Sequence, residues 1–216
     1  DWGFQPEVSD DGNTLVIAVT QGTDERNLLF MRDLRRADAP VVEIVSTFEA
    51  AYDFIGAADG KLFVRTEEGA ERYRIVAIDP AKPAKADWRE IVPQDDATLR
   101  SANVVGGQII ANRLRDAASE VTVHDLAGKR LRGIGLPGPG TATGFGGGAS
   151  STESFFSFAS FTNAGTIWRY DVKSGKTSVF REPKVAFDPS QYQTRQVFYA
   201  SKDGTKIPMF ITARRD

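Results

Sequence analysis

The run Ile167-Trp168-Arg169-Tyr170-Asp171-Val172 decides the fold, because its aspartate has counterparts upstream at a fixed interval. Asp33, Asp79, Asp125 and Asp171 follow one another at steps of 46 residues. Each closes a short apolar run: LLFMRD at 28–33, RIVAID at 74–79, VTVHD at 121–125 and IWRYD at 167–171. A self-similar unit of about 40–45 residues holding four short strands is the mark of a β-propeller blade. The chain carries four such units and then changes pattern.

Unit one reads as a turn over 6–12 followed by strands at 15–20, 27–33 and 41–46. Unit two places strands at 52–55, 61–65, 73–79 and 88–92, with Pro80 and Pro83 in the outer connection, where a missing N–H donor does least harm. Unit three gives 99–105, 108–113, 120–125 and 130–134. Unit four gives 141–144, 155–161, 166–171 and 176–181, with a flexible loop at Gly146-Gly147-Gly148. Gly12, Gly60 and Gly107 hold nearly the same place in each period, as tight hairpins require. Residues 15–19 are apolar on both faces, as expected of a strand sandwiched between neighbouring blades. No amphipathic helix is expected before Glu182. Blades in an open arc leave their outer faces bare, so four units without a ring predict a piece of a larger propeller.

The 216 residues carry 27 Lys and Arg, 29 Asp and Glu, one His and no Cys. A net charge of −2 without a basic stripe argues against nucleic acid and against an anionic membrane surface. No apolar run approaches ~20 residues, so no helical membrane span is expected. Without cysteine there is no disulfide, no thiolate metal site and no Cys nucleophile. The same fact leaves cytoplasm and periplasm equally open. No cofactor and no metal is expected.

Beyond Glu182-Pro183 the period stops, and residues 192–211 read YQTRQVFYASKDGTKIPMFI. From pattern alone this is a β-hairpin with a Lys202-Asp203-Gly204-Thr205 turn that begins a new sheet. The run closely resembles the junction at which the seven-bladed propeller of prolyl oligopeptidases returns to the α/β-hydrolase domain. Upstream, FQPEVSDDGNTLVIAVTQGTDERN, DGKLFVRTEEGAERYRIVAID, VHDLAGKRL and FFSFASFTNAGTIWRYD are similar to the same family in the same order.

The resemblance implies an all-β architecture of four blades out of an expected seven, followed by the first hairpin of an α/β-hydrolase domain. The implied division is a partial propeller over 1–182, a linker over 183–192 and the start of the peptidase domain over 193–216. It further implies a serine endopeptidase that cleaves short peptides after proline, the propeller acting as a size filter. Its partners would be short proline-containing peptides, the remaining blades and the rest of the hydrolase domain. The chain by itself is expected to be inactive, and prone to aggregate through bare blade faces and open strand edges. The alternatives are a related enzyme of the oligopeptidase B or dipeptidyl-peptidase kind, or a non-enzymatic propeller scaffold.

No catalytic residue is assigned, and no substrate-binding residue is transferred from the family. No serine is flanked by glycines in Gly-x-Ser-x-Gly, the elbow such a nucleophile needs. His124 lies inside a strand and reads as a blade residue rather than a general base. The four period aspartates read as turn caps rather than a ring of cation ligands. Gly146 to Gly148 lack the Lys-Ser or Lys-Thr and the helix of a phosphate cradle. Phe155, Phe156, Phe158, Phe161 and Trp168 read as core packing, and the acidic connection 66–72 as a solvated loop.

Overall fold

A computed structural model describes residues 1–215. Four antiparallel sheets follow one another, each a four-stranded meander closed within its own stretch of chain. Blade 1 holds β1 (Trp2–Val8), β2 (Thr14–Gln21), β3 (Asn27–Asp33) and β4 (Val41–Val45). Blade 2 holds β5 (Tyr52–Ala58), β6 (Lys61–Thr66), β7 (Arg74–Ile78) and β8 (Arg89–Val92). Blade 3 holds β9 (Thr98–Val105), β10 (Gln108–Arg115), β11 (Ala118–Asp125) and β12 (Arg130–Ile134). Blade 4 holds β13 (Thr141–Gly146), β14 (Glu153–Ser160), β15 (Asn163–Asp171) and β16 (Thr177–Arg181). A separate hairpin, β17 (Tyr192–Ala200) with β18 (Lys206–Arg214), follows. Among the described residues, helix is confined to short 3-10 turns at Lys85–Asp87 and Pro189–Gln191, and no helix is long and apolar enough to cross a membrane.

Apolar residues lie between the blades rather than within any one. Leu62 and Val64 point from β6 to Val16, Leu29 and Met31 of blade 1, whereas Phe63, between them in sequence, joins Leu99, Val104 and Ile109 of blade 3. Ile110 in turn points the other way, to Phe156, Phe158 and Tyr170 of blade 4. Period-two alternation with both faces apolar therefore gives each middle blade two cores. Full burial of each Leu, Val or Phe contributes about 1.5–3 kcal/mol.

The first strand β9 neighbours both β5 and β13, the first strands of the blades on either side, which makes first strands the inner ones of the propeller arc. Every blade also shifts register between its third and fourth strands, at Leu29/Phe30, Ile75/Val76, Val123/His124 and Ile167/Trp168. Such bulges raise the local twist and turn the outer strand.

Some boundaries differ from expectation. Residues 6–8 belong to β1 and not to a turn; the turn is carried by Ser9 and Gly12, with Ser9 N–H bonded to Thr14 O at 2.8 Å. Pro6 is tolerated because β1 pairs only with β2, so one edge of the strand needs no donor. Tyr73 lies just outside β7 with φ 64°, and Trp88 precedes β8, its Nε1 donating to Pro83 O at 2.9 Å. Blades 1 and 4 each turn apolar side chains outward: Trp2, Phe4 and Val8 on one, Val179 and Phe180 on the other.

Candidate functional site

Antiparallel alternation places the turns between second and third strands on one rim. The hairpin β17–β18 rests on that rim. Gln196 Nε2 donates to Asp116 O in the β10–β11 turn, and Phe210 packs on Phe161 of the β14–β15 turn with ring centroids 5.7 Å apart. A cavity of about 320 Å³ surrounds that pair, walled also by Ala117, Pro139, Gly140 and Ala159.

On the same rim a cleft of about 590 Å³ opens between blades 1 and 2, with Asp24, Tyr52, Asp53, Arg65, Tyr73 and Arg100 on its walls. Arg65 is its fixed point. Its Nε and Nη2 fork onto Asp53 Oδ2 at 3.0 and 2.5 Å, and Nη1 donates to Leu99 O of blade 3 at 2.8 Å. The guanidinium carbon stands 3.9 Å from the centre of the Tyr73 ring, a cation–π stack. Burial, followed by the hydrogen bond to Glu67, pushes the Tyr73 hydroxyl up to about 12. Holding a bulky residue at positive φ costs ~1–2 kcal/mol, so the stack fixes the ring in a strained place. Arg100 stands exposed at the lip with no carboxylate within 4 Å among the described residues.

Asn27 seals the cleft floor. Its Oδ1 accepts the Tyr52 N–H at 2.7 Å while its Nδ2 donates to Tyr52 O and Leu28 O, both at 3.1 Å. The connection 66–72 is solvated only at Gly69, Glu71 and Arg72, and its other residues are held in place. Glu67 Oε1 accepts the Ala51 N–H at 3.2 Å, Ala70 is buried, and Glu68 meets Lys85 Nζ at 2.6 Å. Lys85 also holds Glu49 and, at 2.8 Å, the Tyr52 hydroxyl. Glu67 and Glu68 are spent on partners that lie 16 or more positions away in the chain, whereas Glu71 is exposed.

The period aspartates cap turns, as read. Asp33 Oδ1 accepts Arg35 N–H at 3.0 Å, and Asp79 Oδ1 accepts Ala81 N–H at 2.9 Å. Asp125 Oδ1 accepts Ala127 and Lys129 N–H at 3.0 and 2.9 Å, and Asp171 Oδ1 accepts Ser174 N–H at 2.7 Å. His124 is buried in β11. Nδ1 donates to Gly128 O at 3.2 Å, and Nε2 accepts from the Thr122 hydroxyl at 3.0 Å. Burial lowers its pKa, so the ring is held neutral. Phe156 and Phe158 are core residues, whereas Phe155 and Phe161 point outward from the same strand and turn. Among the described residues no group of acidic or His side chains is arranged to hold a metal ion.

Residues 1–183 match the family model described as the N-terminal β-propeller domain of prolyl oligopeptidase. The chain belongs to the prolyl oligopeptidase family. Among relatives, the prolyl endopeptidase of Elizabethkingia miricola is 34% identical over 208 residues, covering 96% of this chain and 29% of that protein. Prolyl oligopeptidase A of Amanita bisporigera is 31% identical over 228 residues, covering all of this chain and 29% of that protein. A solved prolyl endopeptidase structure superposes with a TM-score of 0.87 at 38% identity, over all of this chain and 31% of its own. Prolyl oligopeptidase B from Galerina marginata superposes with a TM-score of 0.89 at 28% identity, over 99% of this chain and 31% of its own. The chain thus spans about 29% of the length of these relatives.

In this member of the prolyl oligopeptidase family, sequence reasoning missed the Arg65, Asp53 and Tyr73 group and the Asn27 clamp. The available signals were an arginine inside the apolar run 61–66 and an asparagine opening the run 27–31. Both are polar groups at positions that the alternation assigns to contact between blades.

Proposed function

We propose that this chain is the propeller portion of a serine endopeptidase that hydrolyses short peptides on the carboxyl side of proline. The hairpin β17–β18 begins its α/β-hydrolase domain, and residues 183–192 are the linker. The catalytic domain then covers the rim on which the hairpin sits. The observation that carries this reading is that the blade 1–2 cleft opens on that same rim. A peptide in the channel would meet the fixed Arg65–Tyr73 wall and the free Arg100 guanidinium before reaching the catalytic domain. The blades contribute no nucleophile; they position and exclude. A folded protein is wider than a channel lined by single strands, so the propeller filters by size.

The test uses the full-length protein. A short peptide containing an internal proline should be cut after that residue, and a folded protein of similar composition left intact. A serine-directed fluorophosphonate should block the reaction, and residues 1–216 alone should show none. No cleavage by the full-length protein would overturn the enzymatic reading. Digestion of the folded protein would overturn the filter.

A further inference from the structure

Blades 2, 3 and 4 each carry a bulge in the first strand, and one of the three differs in kind. In β5, Phe54 stands opposite Val64 and Gly56 opposite Phe63, which leaves out Ile55. In β13, Gly144 stands opposite Phe156 and Gly146 opposite Phe155, which leaves out Phe145. Ile55 packs on the core between blades 2 and 3, and Phe145 is fully buried. In β9, Leu99 stands opposite Arg113 and Ser101 opposite Asn112, so the residue left out is Arg100. A bulge gives up a ladder position and re-aims the side chains beside it. Leu99 and Ala102, three positions apart, accordingly both reach the blade 2–3 core, which regular alternation forbids. Packing offsets the lost ladder position at Ile55 and Phe145. Arg100 is instead turned out of the core, exposed, onto the wall of the blade 1–2 cleft.

Blade 2 holds the backbone from which Arg100 projects. The Leu99 N–H donates to Arg72 O at 2.9 Å, and Leu99 O accepts from Arg65 Nη1 at 2.8 Å. Most other charges around the cleft are engaged. Asp24 is held by Arg26 and Asp53 by Arg65, while Asp10, beyond Glu7, accepts the Ala149 N–H of blade 4 at 2.9 Å. Glu7 and Glu25 on blade 1, and Arg100 on blade 3, are the cleft charges without an ion pair among the described residues. A carboxylate entering the cleft is thus repelled from the blade 1 wall and received by a single open guanidinium, whose planar fork suits two parallel N–H···O bonds.

We infer that Arg100 selects peptides that carry a carboxylate, either an acidic side chain near the proline or the free carboxyl terminus of a short substrate. The inference rests on the peptidase reading above. The bulge supplies the aim, and Arg65 and Arg72 fix the point of attachment.

The test uses the full-length protein and two sets of short peptides with one internal proline. The first set, with blocked ends, places Glu or Gln at each position in turn around the proline. The second has neutral side chains and a free or an amidated carboxyl terminus. In at least one set the carboxylate form should be preferred about 10-fold in kcat/KM, as a charge-assisted hydrogen bond provides, and that set names the source. The readout is a ratio within one protein, so any general loss of rate in a variant cancels. Arg100→Gln should bring the ratio to about 1 or below, Arg100→Lys should keep part of it, and Arg100→Glu should invert it. A native ratio near 1 in both sets, or one that survives Arg100→Gln, overturns the assignment. Anisotropy of the same peptides carrying a neutral dye, read on rapid mixing before turnover, reports binding alone. A binding preference that Arg100→Gln abolishes, with no peptide cleaved, keeps the site and overturns the peptidase reading. Cleavage without preference overturns the site and keeps that reading, and neither cleavage nor preference overturns both.

Discussion

Replacing Asn27 by Ala should weaken the joint between blades 1 and 2 far more than the same change at Asn112 weakens that between blades 3 and 4. Both amides are buried, at 4% and 6% exposure, and both reach the first strand of the next blade. Asn27 satisfies a donor and an acceptor of Tyr52 and also bonds Leu28 O. Its removal strands the Tyr52 N–H in a residue only 1% exposed. An unsatisfied buried donor costs ~1–3 kcal/mol, and each lost neutral hydrogen bond ~0.5–1.5 kcal/mol, so Asn27→Ala should lose about 2–4 kcal/mol. Asn112 makes a single bond, Nδ2 to Ala142 O at 2.8 Å, and its Oδ1 has no partner. Removing it takes away one bond together with one orphaned oxygen, so about 1 kcal/mol is expected. The two changes delete the same volume, which makes their difference a measure of hydrogen bonding. Urea denaturation gives the global loss, and hydrogen exchange at the Tyr52 amide gives the local one. Exchange there should quicken on the order of 10²-fold, at about 1.4 kcal/mol per tenfold. Equal losses for the two variants, or an unchanged Tyr52 exchange rate in Asn27→Ala, would refute the reasoning.

Two further outcomes follow from the blade 2–3 joint. His124 is depressed below its unfolded value of 6.5, chiefly by burial, so the unfolded chain binds the extra proton more readily. Its contribution is complete above about pH 6.5 and declines as pH falls below it; urea midpoints at pH 7.5 and 5 should therefore differ more for the native chain than for His124→Gln, and equal differences would refute this. Gly128 has φ +95°, and a Cβ there would lie 2.0 Å from Ile91 O of blade 2, whereas Gly107, at φ +71°, has nothing within 4 Å. Gly107→Ala should cost only the ~1–2 kcal/mol of a left-handed alanine; Gly128→Ala should cost several kcal/mol more or abolish folding, as soluble yield and thermal midpoint would show, and comparable midpoints would count against the packing described.

The 46-residue recurrence of aspartates was readable because each cap acts within two to four residues of its own strand. Strand alternation was readable for the same reason of proximity in sequence. The strand Trp2–Val8 was hidden by Pro6, whose penalty vanishes on a one-sided strand. Glu67 and Glu68 looked like a solvated acidic loop because their partners, Ala51 and Lys85, are 16 and 17 residues distant. Arg65 presented the same difficulty, since it bonds Leu99 from 34 residues away. The Asp10 to Ala149 contact spans 139 residues and leaves no periodic trace at all. Local chemistry repeats and can be read; what joins one blade to another depends on where the blades come to stand.

Each sheet closes inside a contiguous stretch of chain, while the apolar cores lie between sheets. A break in a connecting segment such as 135–140 would cut no ladder hydrogen bond. The severed pieces would still be held by Ile110, Val121 and Val123 against Phe156, Phe158 and Tyr170. Proteolytic nicking, circular permutation and splicing in of an additional unit should therefore be tolerated between blades and not within them. On this account the covalent thread mainly records the order of assembly, and the side chains keep the pieces together.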